Sequence, residues 1–105
     1  MTRPSMVERD GATVITLPDM GWWNGDDVIV AVIGLVVDKL ATDGHGHPGT
    51  VESRGRWEID MRRTALACAA YLKRWDSTMS AEDVEELSAP LIVQFLSANL
   101  GSLWD

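Results

Sequence analysis

Residues 24–42 read Asn24-Gly25-Asp26-Asp27-Val28-Ile29-Val30-Ala31-Val32-Ile33-Gly34-Leu35-Val36-Val37-Asp38-Lys39-Leu40-Ala41-Thr42. From Val28 to Val37 no face carries a polar side chain. The abundance of β-branched Val and Ile speaks for a strand. The flanks speak for a helix, which is the reading adopted. Asn24 is placed to cap it with Asp27 in the capping-box position, and Trp23 and Val28 fall at the two staple positions. Asp26 and Asp27 sit where the positive end of a helix dipole favours anions. Lys39 lies near the other end, and Gly44 is a natural left-handed stop.

A helix that is apolar all round has to be enclosed. Either the N-terminal segment or a second copy of the chain supplies the cover. Each Val or Ile so covered contributes about 1.5–3 kcal/mol. Ala31 and Gly34 are small enough for close approach by a neighbouring helix. The self-association face expected on this helix is Val28, Ala31, Val32, Gly34 and Leu35. At ten residues the apolar run falls short of the roughly 20 needed to span a membrane.

The chain on either side reads as two more helices and an arm. The next helix is expected over 56–76. Trp57, Met61, Ala65, Cys68, Leu72 and Trp75 recur on one stripe, which Leu66 and Ala69 widen. A third helix is expected over 80–100. Ser80 and Asp83 form its capping box, and Met79 is set to staple to Val84. Val84, Leu87, Leu91, Phe95 and Ala98 hold helical phase through Pro90, so one helix kinked at the proline is expected rather than two. Residues 43–55, containing Gly44-His45-Gly46-His47-Pro48-Gly49, propagate neither helix nor strand. In the N-terminal arm, 1–23, Asp10-Gly11 can turn a short hairpin of Met6–Arg9 with Ala12–Leu17. The expected fold is therefore mainly α: a three-helix bundle within a single domain, 1–105, with an N-terminal arm that includes this hairpin.

Composition bounds the function. The 105 residues include 9 basic and 16 acidic side chains, for a net charge of −7. Such a chain is a poor default partner for nucleic acid or an anionic membrane. One cysteine, Cys68, excludes an intrachain disulfide and a cysteine-based zinc cluster. Met1–Ser5 lacks an apolar signal core, so a cytoplasmic protein is expected. There is no Gly-x-Ser-x-Gly elbow, phosphate-binding glycine loop or His-Glu-x-x-His, and Cys68 lies between alanines. Neither a catalytic residue nor a cofactor is assigned.

Residues 80–105 hold five acids and no base. The bland reading is a solvated helix face; the sharper one is an acidic docking surface for a basic partner. Glu82, Glu85 and Glu86 on that helix, with Trp22 and Trp104, are the expected contacts for a protein partner, since exposed tryptophans concentrate at binding hot spots. The leading functional expectation is a non-catalytic interaction protein, such as a regulator, an inhibitor or a phage-like assembly accessory, that self-associates through the first helix. A second reading uses Arg54, Arg56, Trp57, Arg62 and Arg63 to hold nucleic acid, with the indole stacking on a base. A third places a metal at His45 and His47 with Asp43. Two histidines from one glycine-rich loop make a weak ligand set.

Overall fold

The computed structural model describes residues 4–21, 23–44, 46, 47, 51 and 53–103. The chain runs β1 (Ser5–Arg9), β2 (Ala12–Thr16), α1 (Gly25–Asp43), α2 (Arg54–Leu72), a 3-10 turn (Arg74–Asp76), α3 (Ala81–Asn99) and a closing 3-10 turn (Leu100–Ser102). It is the mainly helical architecture expected, hairpin included.

β1 and β2 pair antiparallel, with Met6 opposite Ile15 and Val7 opposite Val14. Asp10 and Gly11 both take positive φ, at 52° and 79°, as the tight turn between twisted strands requires. One face of the hairpin lies against α1. Glu8 reaches Lys39 at 3.2 Å, and Met6, Thr13 and Ile15 share a cleft with Val36 and Leu40. Val7 and Val14 point the other way and are exposed.

The strand alternative for 24–42 fails, but the ends of α1 are built differently from expectation. Asn24 makes no side-chain cap. Its Oδ1 accepts from the Gly21 N–H at 2.7 Å and its Nδ2 donates to the Asp19 carbonyl at 2.9 Å, so it ties down the incoming segment instead. Trp23 folds back over Gly21, where a Cβ would meet the indole at 2.4 Å, and stays exposed. Gly44 is extended, at φ −74°, rather than left-handed. The C-terminal carbonyls of α1 are satisfied by Arg54. Its Nη2 donates to the carbonyls of Leu40 and Ala41 at 3.0 and 3.1 Å, and its Nη1 donates to that of Gly46 at 2.9 Å. A guanidinium there meets both the orphan acceptors and the negative dipole end.

α2 starts two residues before the expected boundary because Ser53, not a later residue, caps it, accepting from the Arg56 N–H at 3.1 Å. It packs against both α1 and α3. Its buried residues are Trp57, Met61, Thr64, Ala67 and Cys68. Leu66 and Ala69, expected to widen the stripe, are exposed. So is Trp75, at 74 %. The helix ends at Leu72, and the tighter 3-10 winding that follows turns residue 74 inward and residue 75 outward.

α3 runs unbroken through Pro90, with Ser80 Oγ accepting from the Asp83 N–H at 3.1 Å. Its buried stripe is Val84, Ser88, Ile92 and Phe95. The expected stripe through Leu87, Leu91 and Ala98 is rotated outward: Leu87 is 61 % exposed and Leu91 45 %. Ser88 explains the shift. Its hydroxyl donates to the Val84 carbonyl at 2.6 Å, so it packs as a small satisfied residue and leaves the interior to Ile92.

The core has two clusters. Val37, Ala41, Trp57, Met61 and Phe95 form one, with the Trp57 and Phe95 rings stacked at 5.4 Å. Val30, Ala67, Cys68 and Ile92 form the other. At Gly34 α1 approaches α2 closely: a Cβ there would lie 3.0 Å from that of Cys68.

Candidate functional site

The expected site residues fare differently. Ala31 is buried and Gly34 faces Cys68 of α2, so neither small residue is open to a second copy. Val28, Val32 and Leu35 are half-buried. Ile29, at 62 %, is the exposed residue of the Val28–Val37 run.

The arginine patch is taken apart. Arg54 caps α1. Trp57 is 1 % exposed and cannot stack on a base. Arg56 pairs with Asp60 at 3.5 Å, and Arg62 with Glu58 at 3.2 Å and Asp38 at 3.7 Å. Arg63 is exposed. Trp22, Trp104 and His45 lie outside the described residues. His47 is exposed, and no group of three or more metal-ligating side chains occurs among the described residues.

Glu85 is also diverted. It belongs to a junction around Arg74, whose side chain is only 6 % exposed although it carries a full charge. Nη1 donates to Asp27 Oδ1 at 2.6 Å and to the Tyr71 carbonyl at 2.9 Å. Nη2 reaches Asp26 Oδ2 at 3.3 Å, and Nε lies 2.7 Å from Glu85 Oε1 as an ion pair. The guanidinium stands over the Tyr71 ring at 4.3 Å and the Trp75 ring at 5.3 Å. The Tyr71 hydroxyl donates to Asp26 Oδ2 at 2.5 Å. One cation thus joins the N-terminus of α1, the end of α2 and the first turns of α3.

Electrostatics follow from this geometry. The Tyr71 hydroxyl, helped by Arg74, holds the Asp26 carboxyl below its ordinary value. Burial and the neighbouring carboxylate push Tyr71 up to about 12. Burial works against the Arg74 charge, but the hydrogen bond to Asp27 and the surrounding carboxylates outweigh it and raise the value. Burial likewise lifts the Cys68 thiol to about 11, which leaves it protonated and unreactive near neutral pH. The junction is a structural clasp in which one guanidinium holds three carboxylates together.

The open apolar surface is elsewhere, between α2 and α3. Ala67 and Ala70 of α2, Met79 before α3, and Val84, Leu87 and Leu91 of α3 line a cleft of about 510 Å3. Leu66, exposed beside Ala67 and Ala70, extends the apolar area along α2. Lys73, Asp76 and Ser77 close one end. Glu82, Asp83 and Glu86 are exposed on α3 and form no ion pair among the described residues. Leu87 and Leu91 were read as core and Met79 as a staple. The available signal was that α3 carries more large apolar residues than one stripe can bury: Val84, Leu87, Leu91, Ile92, Val93, Phe95 and Leu96.

No helix is long and apolar enough to cross a membrane among the described residues. No protein family, curated protein or solved structure matches this chain.

Proposed function

We propose that this chain is a non-catalytic interaction module, of the kind that regulates, inhibits or helps assemble another protein, and that it receives its partner on the α2–α3 face. The observation behind this reading is the pair Leu87 and Leu91. They stand exposed and, with Met79, line the cleft between α2 and α3. Contiguous exposed apolar area of this sort marks a binding surface more often than chance exposure of single residues does. Glu82 and Glu86 are exposed on α3 but do not line this cleft, and Glu85 leaves the reading because Arg74 holds it. Self-association through α1 has less behind it. The hairpin lies against the C-terminal half of that helix, and Ala31 and Gly34 are already packed.

The test is co-purification from the native host with three forms of the chain: unaltered, Leu87→Asp/Leu91→Asp and Arg62→Glu/Arg63→Glu. Exposed positions of this kind change stability by about 0.5 kcal/mol or less, which circular dichroism and thermal melting would verify. A partner protein is expected with the unaltered chain and the arginine variant, at wild-type yield, and to be lost from the leucine variant. Retention by the leucine variant, or bound nucleic acid that disappears with the arginine variant, would overturn the reading.

A further inference from the structure

The two edges of the hairpin differ. β1 follows Pro4, carries Glu8 and Arg9, and points Glu8 inward to Lys39. Proline, charge and an inward-pointing charge are the devices that keep an edge strand from pairing. β2, Ala12-Thr13-Val14-Ile15-Thr16, has none of them. It carries no charge, four of its five residues are β-branched, and all five are exposed. Among the described residues only β1 pairs with it. We infer that a second copy of this chain pairs with that edge, β2 against β2 about a two-fold axis, to make a four-stranded antiparallel sheet.

Register argues for the second copy. Across a two-residue turn Arg9 and Ala12 form the first hydrogen-bonded pair, and the pairs alternate from there. Ala12, Val14 and Thr16 therefore turn their N–H and C=O groups toward β1, and Thr13 and Ile15 present theirs at the open edge. A two-fold axis through Val14 sets Thr13 of each copy opposite Ile15 of the other, so the edge groups of one chain meet their own complement on the second. It also sets Val14 against itself at a non-hydrogen-bonded position, where Cα atoms come within about 4.5 Å. Val7 lies opposite Val14 in the hairpin, and both are exposed on the face turned away from α1. The combined sheet carries an unbroken row of valines on that face, Val7 and Val14 from each copy. Two strands alone are marginal in water, whereas three or more with an apolar face hold together. No like charges oppose one another within the new strand pair, although each chain carries −7. The closed dimer leaves only the protected β1 edges, so assembly stops at two. The α2–α3 face contributes no residue to it.

Sedimentation equilibrium of the full chain tests this, alongside Val14→Lys, Val14→Glu and an equimolar mixture of the two. The strands are short and the contact small, so the dimer is weak. The mean mass of the unaltered chain should rise from the 11.5 kDa of one protomer toward twice that as concentration approaches about 1 mM. Each variant, its fold checked by circular dichroism, should dimerise about tenfold more weakly, because like charges then face each other at residue 14. The mixture should recover the dimer, since an ammonium then faces a carboxylate. Thr13→Pro removes an N–H from the open edge without touching the ladder to β1, and should weaken the dimer as well. An unaltered chain that stays monomeric throughout would overturn the inference. So would variants that dimerise as well as the unaltered chain, or a mixture no better than its parts.

Discussion

Arg74→Met is expected to destabilise the fold by about 3 kcal/mol, the lower end of what removing one partner from a buried ion cluster costs. The lower end applies because the three carboxylates are 32–46 % exposed and keep part of their hydration, although Arg74 itself is nearly dry. The loss comes from what stays behind. Asp26, Asp27 and Glu85 converge on the site of the guanidinium, and without it they repel across the ends of α1 and α3. Arg74→Lys keeps a charge but loses the planar fork that serves three acceptors, and should fall between wild type and Met.

The pH dependence separates this account from a simple packing loss. In the native chain the Asp26 value is lowered, so its contribution is present above the ordinary carboxylate range and is lost as pH falls through the folded value. In Arg74→Met the sign reverses, because protonating the crowded carboxylates relieves repulsion. Urea midpoints should move in opposite directions in the two proteins as pH is taken from neutral to below the ordinary carboxylate range, where the lowered Asp26 value is crossed. A loss under about 1 kcal/mol with parallel pH trends would remove the clasp from the account.

Trp57→Ala should cost about 3–5 kcal/mol, as truncating a large core aromatic does. Trp57 is 1 % exposed, stacked on Phe95 and packed in the cluster that joins all three helices. For a chain of this size each kcal/mol lowers the melting temperature by about 4–8 °C. Trp75→Ala, by contrast, should stay within about 0.5 kcal/mol of wild type apart from its cation–π contact with Arg74. Both tryptophans sit on the stripe that sequence periodicity defines, so the contrast between them tests where α2 ends. Equal losses at the two positions would mean that the helix runs on through Trp75.

The hairpin was legible because Asp-Gly is a local signal that needs no tertiary partner. α2 and α3 were legible from stripes of apolar residues and, for α3, from Ser80, whereas α1 has no stripe and was read from its flanks, whose caps the structure builds differently. What misled was phase and partnership. α3 has enough large apolar residues to satisfy either of two stripes. The one that wins includes Ser88, a polar residue that its own back-bond makes acceptable inside, and this choice puts Leu87 and Leu91 on the surface. Asn24 has the right identity for a cap but spends its side chain on Gly21 and Asp19. Arg54 looked like a member of a basic patch, and nothing in the sequence marked Arg74 as a partner of distant acids. Their partners, the end of α1 and the carboxylates Asp26, Asp27 and Glu85, come together only through long-range folding. The apolar run of α1 posed the right question, namely what covers it. Gly34 approaches Cys68 of α2, Val36 shares a cleft with Met6 and Ile15 of the hairpin, and Ile29 stays exposed.

A photo-crosslinking amino acid placed at residue 87 in one form of the chain and at residue 29 in another, each expressed in the native host, compares the two exposed apolar positions directly. Crosslinking from residue 87 to one discrete heterologous protein, with none from residue 29, is the result predicted. Crosslinking from residue 29 to a second copy of this chain, with residue 87 silent, would contradict it.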